Sequence, residues 1–195
     1  MGSIRAFVAI LLDDAVRGKL GAAIDDLKPT ARDVSWVATA NLHLTVKFLG
    51  AVAEDRIEAV AGALTGAIAG VGVFDAQVEG LSAFPSATRP RVVWAGVTAE
   101  AGTMGDLAGR VDDALAALGF TREARPFSPH ITLGRVRLPG RTPALTQALR
   151  GAAGRGFGRL PVARVSLMRS ELSPRGARYT ELAAASLGEA GGGGV

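Results

Sequence analysis

The sequence predicts an α+β fold built of two similar lobes. The hydrophobic pattern switches repeatedly between a period of two, typical of strands, and a period of three to four, typical of helices. Hydrophobic residues make up 48% of the 195 residues and charged residues 21%, which fits one globular unit with a substantial core. Landmarks also recur: a shift of 86 residues places residues 5–9 on 91–95, and a shift of 87 places His43 on His130. Because strand–helix–strand units recur in any α/β protein, chance recurrence is the alternative to duplication.

The first half is predicted to alternate strands and helices. Residues 5–11 alternate as a strand, and residues 14–28 form a helix that begins after an aspartate cap. Residues 35–37 and 41–48 are predicted strands. A second helix is predicted over residues 54–69.

The second half repeats this alternation. Its predicted strands are residues 73–84, 91–97, 129–137, 162–169 and 179–183, and its predicted helices are residues 103–118 and 143–150. Turn signals fill residues 85–90, and Gly119 is predicted to end the helix before it. We expect residues 1–190 to form a single bilobal domain with an internal pseudo-repeat, and residues 191–195 to form a flexible glycine-rich tail.

Composition excludes several classes of site. Cysteine is absent, so the chain has no disulfide framework, thiolate nucleophile or thiolate metal ligand. The apolar stretch at residues 6–12 is too short to cross a bilayer, and Asp13 and Asp14 end it. We therefore expect a cytoplasmic protein that does not associate with membranes, and nothing in the sequence indicates an obligate protein partner.

The positive charge comes almost entirely from arginine. The formal net charge is +4, and 19 of the 22 basic residues are arginines. A guanidinium group can fork onto phosphate and stack on bases, which an ammonium group cannot do. The arginines favour an anionic partner, although a general preference for arginine over lysine is the alternative.

Two matched motifs contain the only histidines. His43 is followed two residues later by Thr45, and His130 is followed two residues later by Thr132. Side chains alternate along a strand, so each histidine shares a face with its threonine at a separation of roughly 6 to 7 Å. The residues that alternate with them on the opposite face are apolar and are predicted to pack beneath a helix. In the first motif they are Leu42, Leu44, Val46 and Phe48. The repeated motif predicts one paired site.

This set of side chains suits phosphodiester chemistry. Near neutral pH one imidazole can accept a proton from an attacking oxygen while a protonated one donates to the leaving oxygen. The threonine hydroxyls can donate to the non-bridging phosphate oxygens. Two histidines without cysteine argue against a closed zinc site. A carboxylate-rich metal site, or two separate structural histidines, remains the alternative.

The motifs carry a family resemblance. It rests on residues 5–10, 41–50, 91–97, 127–135 and 170–174, with Gly176 and Tyr179 beyond them. In these contexts the chain resembles the two-histidine phosphoesterase superfamily, specifically the bacterial and archaeal RNA 2',3'-cyclic phosphodiesterases long called 2'-5' RNA ligases. The resemblance implies a bilobal fold in which each lobe has an antiparallel-rich sheet packed by helices, around a central groove.

The resemblance also implies the reaction and its residues. The expected reaction is metal-independent hydrolysis of RNA 2',3'-cyclic phosphate ends to 2'-phosphomonoesters, with no cofactor. His43 would be the proton donor to the departing 3'-oxygen and His130 the proton acceptor that activates water. Thr45 and Thr132 would bind the phosphate. Spacing alone does not decide which histidine is the acid.

Phe7 and Arg135 are the candidates for nucleotide binding. In similar proteins an aromatic ring and an arginine near these places hold the terminal base between them. A core aromatic and a surface charge are the alternative interpretations. Strict alternation puts Arg135 on the face opposite His130, so it needs a twist or bulge to reach the groove.

Some charged residues have plainer interpretations. Lys47 shares the predicted face of His43, or is a solvated lysine at a strand end. Asp112 and Asp113 are most simply solvated charges on a helix.

The sequence is also compatible with two other functions. The same site run in reverse would join RNA ends through a 2'-5' bond without ATP. A non-catalytic RNA-end or nucleotide binder would use the arginine-rich surface, with the histidines as phosphate ligands.

Overall fold

One antiparallel sheet of nine strands forms the framework of the protein. The computed structural model describes residues 2–99, 102–138, 140–173 and 176–188. The strands are β1 (Ser3–Leu11), β2 (Val34–Trp36), β3 (His43–Ala53), β4 (Phe74–Ser86), β5 (Arg89–Ala99), β6 (His130–Val136), β7 (Gly156–Val162), β8 (Arg164–Ser173) and β9 (Gly176–Ser186). The helices are α1 (Asp14–Leu27), α2 (Ile57–Ile68), α3 (Thr103–Ala117) and α4 (Pro143–Gly151).

The strand order is symmetric about the middle of the sheet. The order is β7-β4-β5-β6-β3-β1-β8-β9, and β2 pairs separately with β6. β3 and β6 occupy equivalent central places, with β1 and β5 outside them. The predicted α+β class with two antiparallel halves is confirmed. The symmetric order supports the internal repeat, which stays a prediction.

The two halves meet along a very short strand contact. β3 and β6 pair through Leu44 and Ile131 alone. Further along, β2 takes the place beside β6, with Trp36 opposite Gly134. The two histidine strands are therefore neighbours in one continuous sheet.

Alternation along β1 separates two apolar clusters. Ala6, Val8 and Ile10 are at most 1% exposed and belong to the large core beneath the helices. Phe7 and Ala9 point to the other face of the sheet, where they pack with Met168 in a small second cluster. This second face is the one that holds the histidines.

The helix boundaries follow local chemistry. The Asp13 carboxylate accepts a hydrogen bond of 2.8 Å from the backbone N–H of Val16, which confirms the predicted aspartate cap. Gly119 follows α3 with φ +86°, a conformation that glycine adopts without strain. The helix predicted over residues 54–69 begins later, at Ile57, because residues 54–56 form a 3-10 turn.

One edge strand of the structure was not predicted from the sequence. β7 was missed because Gly156, Gly158 and Pro161 are typical of loops, yet Phe157 and Leu160 in the same segment are buried. Proline is tolerated there because β7 lies at the edge of the sheet.

The hairpin between β4 and β5 is also tighter than predicted. Only Ala87 and Thr88 separate the two strands, whereas turn signals cover residues 85–90. The strand predicted over residues 162–169 starts two residues later and runs to Ser173, and the last predicted strand is longer at both ends. The predicted tail, residues 191–195, lies outside the described residues. Among the described helices, none is long and apolar enough to cross a membrane.

Candidate active site

The two motifs cross where β3 meets β6. Leu44 pairs with Ile131 in antiparallel register. Continuing that register by one residue in each direction places His43 opposite Thr132 and Thr45 opposite His130. Residues directly opposite in a sheet share a face and have Cβ atoms about 4.5–5.5 Å apart. The structure therefore brings the four predicted side chains together on one face, with the two histidines on one diagonal and the two threonines on the other.

Equivalent hydrogen bonds fix which ring nitrogen carries the hydrogen in the two imidazoles. His43 Nδ1 lies 2.7 Å from the backbone oxygen of Asn41, and His130 Nδ1 lies 2.7 Å from that of Ser128. Because a carbonyl oxygen only accepts hydrogen bonds, each Nδ1 carries a hydrogen and donates it. Each Nε2 is thus the nitrogen that gains or loses a proton.

Each imidazole is packed by two aromatic rings. The His43 ring centroid lies 4.8 Å from that of Phe7 and 5.2 Å from that of Tyr179. The His130 ring lies 5.1 Å from Phe84, edge to face, and 6.4 Å from Trp94. These rings limit rotation of both imidazoles.

The packing of Tyr179, Phe84 and Trp94 against the histidines was not predicted from the sequence, although residues 91–97 and Tyr179 belong to the family resemblance. A signal for one of them was present, because the 87-residue shift that places His43 on His130 also places Phe7 on Trp94.

The pKa of Tyr179 depends on its burial and on two arginines. Burial raises the pKa, while the positive charges of Arg135 and Arg5 act in the opposite direction.

Burial favours the neutral form of His43. Desolvation lowers the pKa of His43 below its usual value, and the hydrogen bond to the Asn41 carbonyl offsets this only partly. His43 Nε2 lies 3.1 Å from Thr45 Oγ1, so the neutral ring accepts a hydrogen bond from the threonine hydroxyl. An anion bound beside Nε2 would shift this balance towards the protonated imidazole.

A β-bulge follows each motif. Between β1 and β3 the register skips Val46, and between β5 and β6 it skips Leu133. Each bulge reverses the alternation of the residues after it. The fifth residue after each histidine therefore returns to the histidine face: Phe48 in the first motif and Arg135 in the second.

The bulges change the interpretation of both residues. Arg135 lines the groove, so the bulge that strict alternation required is present. Phe48 was predicted to pack with the apolar underside, and this was wrong: its side chain is 57% exposed and also lines the groove. Phe7 is only 3% exposed, with its ring centroid 6.1 Å from that of Phe48. In this structure Phe48 is the exposed ring, and the buried ring of Phe7 lies behind it.

Lys47 and Asp112 form an ion pair in which the lysine is buried and the Asp112 side chain is 17% exposed, so the interpretation of both as solvated charges was wrong. The prediction that Lys47 shares the face of His43 was also wrong, because Lys47 pairs with Val8 on the core face. Lys47 is 3% exposed and donates hydrogen bonds to the Asp112 carboxylate and, at 2.7 Å, to the Thr121 carbonyl oxygen. The bulge at Val46 turns the lysine towards α3. Burial raises the pKa of Asp112, but hydrogen bonds from Lys47 and the Glu123 N–H, with nearby positive charge, lower it more. Asp113 is exposed and pairs with Arg122.

A groove of about 1380 Å³ opens beside the histidine diagonal. Thr45, Thr132 and His130 line it, together with parts of β5, α3 and the segment at residues 123–128. In the described ranges no three histidine, aspartate or glutamate side chains lie together in an arrangement that could hold a metal ion.

Comparison with known proteins places the chain in a family. The model of the LigT-like phosphoesterase family matches residues 10–94 and 97–179, and each stretch contains one histidine motif. RNA 2',3'-cyclic phosphodiesterases from Methanothermobacter thermautotrophicus and Archaeoglobus fulgidus are 34% and 35% identical to it. Both alignments cover 92% of this chain, and they cover 96% and 98% of those proteins, respectively.

Solved structures agree with this placement. A crystal structure of a Thermus thermophilus protein has a TM-score of 0.77 at 32% identity, covering 94% of this chain and 98% of that chain. Escherichia coli LigT in complex with 3'-AMP has a TM-score of 0.75 at 26% identity, covering 95% and 99%. With the two histidine motifs on adjacent strands of the same fold, the chain belongs to the LigT-like, two-histidine phosphoesterase family.

Proposed function

We propose that the protein hydrolyses RNA 2',3'-cyclic phosphate ends to 2'-phosphomonoesters, without a metal ion. The observation that carries this proposal is the crossed arrangement of two histidines and two threonines, in which both Nδ1 atoms are held by carbonyl oxygens. Relatives over nearly the whole chain are RNA 2',3'-cyclic phosphodiesterases. The geometry supports one phosphate between two imidazoles, and the relatives support an RNA cyclic phosphate as the substrate.

The proposed reaction is a single in-line displacement at phosphorus. His130 Nε2 accepts a proton from water as the water oxygen forms its bond to phosphorus. The bond between phosphorus and the 3'-oxygen breaks, and His43 Nε2–H donates its proton to that oxygen. The products are a 2'-phosphate and a free 3'-hydroxyl. The diagonal placement of the histidines suits an attacking and a leaving oxygen on opposite sides of phosphorus.

The threonines and the terminal nucleotide complete the proposed complex. Thr45 and Thr132 donate hydrogen bonds to the non-bridging oxygens, where negative charge must be stabilised. Arg135 stacks on or pairs with the terminal nucleotide from the second half of the sheet. Phe7 contributes through its contact with the exposed ring of Phe48.

Product identity tests the reaction. Purified protein is incubated with a nucleoside 2',3'-cyclic phosphate in the presence of EDTA, and the phosphomonoesters are separated by chromatography. We expect a 2'-phosphate alone. Exclusive formation of the 3'-phosphate, or loss of turnover on chelation, would contradict the proposal. A separate incubation tests the reverse reaction, in which RNA ends would be joined through a 2'-5' bond without ATP.

Variants of the two histidines test their roles. We expect His43→Ala and His130→Ala each to lower kcat by on the order of 10²–10⁴-fold, the usual contribution of a positioned acid or base. Far-ultraviolet circular dichroism checks that the fold persists. Full activity in either single variant would disprove the paired mechanism.

A further inference from the structure

We propose that the groove binds a single-stranded RNA chain well beyond its terminal nucleotide, and that the chain leaves the histidine pair along the second half of the sheet. This inference rests on the proposed function and adds the extent and direction of the substrate. The cyclic phosphate lies at the 3' end of the RNA, so the groove would receive the nucleotides on its 5' side.

The size of the groove exceeds the needs of one nucleotide. Its volume is about 1380 Å³. Pockets for small molecules typically measure roughly 300–1,000 Å³. One wall is the face of α3 that carries Gly105, Ala108 and Gly109, and a Cβ atom built on either glycine meets nothing within 4 Å. This wall leaves room for a sugar–phosphate backbone to pass.

The groove also carries the net charge of the whole protein. Among the residues that the structure describes, six basic and two acidic side chains line it, a net charge of +4. The formal net charge of the entire chain is likewise +4. The remaining basic and acidic residues therefore balance, and the positive potential is concentrated along one surface.

The groove arginines are free to bind phosphate. They are Arg89, Arg91, Arg125, Arg135 and Arg141. Among the described residues, six other arginines form ion pairs with carboxylates, but none of these five does. The basic charge of Lys47 is already used by Asp112. Unpaired guanidinium groups along a groove are typical of sites that follow a nucleic-acid backbone.

The arginines give the chain a direction. All five lie on β5, on β6 or in the segments that flank β6. Of the described residues in the first half, only Thr45 to Phe48 line the groove. An RNA chain whose 3' end lies between the histidines would thus extend over the second half, towards Arg89, Arg125 and Arg141.

The test compares substrates of increasing length. kcat/KM is measured for a mononucleoside 2',3'-cyclic phosphate and for single-stranded RNAs of two to eight nucleotides with the same terminal base and cyclic end. We expect kcat/KM to rise with length on the order of a hundredfold or more, since each charge-assisted hydrogen bond to an added phosphate contributes on the order of tenfold. The advantage of the longer RNAs should weaken with salt. The slope of log affinity against log salt concentration should become more negative by about 0.7 for each phosphate neutralised.

Variants locate the effect. Arg89→Ala and Arg125→Ala should each bring the ratio of kcat/KM between the octamer and the mononucleotide on the order of tenfold closer to one. Arg110→Ala is the matched control, because Arg110 is exposed on α3 but outside the groove lining, and it should keep the full ratio.

The outcomes separate this inference from the proposed function. Equal kcat/KM for the mononucleotide and the octamer would overturn the extended RNA site while leaving the cyclic phosphodiesterase reaction intact. A length effect that Arg89→Ala and Arg125→Ala do not reduce would overturn the assigned path. Failure to open either substrate would instead reject the reaction itself.

Discussion

At the scale of single residues, the two histidines each make the same type of hydrogen bond but differ in their surroundings. Both Nδ1 atoms donate to the carbonyl oxygen two residues earlier. Each imidazole packs against two aromatic rings, which are Phe7 and Tyr179 for His43, and burial lowers the pKa of His43. A buried imidazole makes a strong acid once protonated, which suits the proposed donation to the leaving oxygen.

The lowered pKa of His43 predicts an early alkaline limb in the pH profile. As the pH rises through the pKa of His43, the free enzyme loses the proton that the donor must supply, so kcat/KM falls. We expect this fall to begin below pH 6.5, the ordinary value for histidine. In kcat the same limb should lie at higher pH, because the bound phosphate anion favours the protonated ring.

Nuclear magnetic resonance measures the same titration directly. The chain has two histidines, so two imidazole signals are expected, and His130→Gln assigns them. The His43 signal should titrate below pH 6.5 and move upwards when inorganic phosphate is added. If His43 titrates at or above 6.5 without ligand, burial does not control its charge. Because the proposed phosphate would contact both histidines, the values taken from the kcat profile would belong to the pair.

The residue scale also shows what alternation predicts and where it stops. Alternation alone placed His43 with Thr45 and His130 with Thr132 on shared strand faces, as the structure has them. It failed at Phe48 because a bulge is set by pairing with a neighbouring strand, which the local pattern does not contain. For Arg135 the same kind of bulge was anticipated, because strict alternation would have put it on the face opposite His130.

At the scale of elements, the ion pair of buried Lys47 with Asp112 links β3 to α3 and to the segment that precedes β6. Lys47 lies on β3, two residues after Thr45, and reaches Asp112 on α3 and the Thr121 carbonyl oxygen. Asp112 in turn accepts the N–H of Glu123 at 3.2 Å. These bonds anchor the segment that leads to Ser128, whose carbonyl oxygen orients His130.

Removing one partner of this pair should therefore destabilise the fold and disturb His130. We expect Lys47→Met to lower the free energy of unfolding by about 3 kcal/mol, since it leaves Asp112 without its buried partner. For a protein of this length that corresponds to a drop in Tm of roughly 6–12 °C, measured by calorimetry. At temperatures where the variant is folded, kcat should fall more than KM rises.

The exposed neighbour provides the control for this substitution. Asp113→Asn removes the surface pair with Arg122 and should leave Tm unchanged within error. The double substitution Lys47→Met with Asp112→Leu should recover part of the lost stability, because no charge is left unpaired. A Tm of Lys47→Met equal to that of the unsubstituted protein would show that the pair does not hold the two elements together.

Elements with strong local signals were predicted and weakly marked ones were not. α1 and α3 have a capping aspartate and a terminating glycine, respectively, and their predicted ranges agree with the structure to within one residue at each end. β7 contains glycine and proline, and its strand conformation depends on pairing with β4, which is distant in sequence. Tertiary pairing overrides local propensity at such edge strands.

At the scale of the whole molecule, the site lies at the weakest junction of the sheet. β3 and β6 join the two halves through Leu44 and Ile131 alone, while β1 pairs with β3 at nine positions. The proposed phosphate ligands come equally from both halves, one histidine and one threonine each. A bound phosphate would therefore add contacts across the place where the strands contribute fewest.

Inorganic phosphate should consequently raise the stability of the whole protein. A ligand at 100 times its Kd adds about 2.7 kcal/mol to the free energy of unfolding. For a protein of this length we expect Tm to rise by roughly 5–10 °C, and amide hydrogen exchange to slow at Leu44 and Ile131. Thr132→Val, which removes one hydroxyl donor, should reduce the rise, whereas Arg110→Ala should not. A phosphate-induced rise that is the same in Thr132→Val would place the anion elsewhere, and the junction between the halves would then be unaffected by ligand.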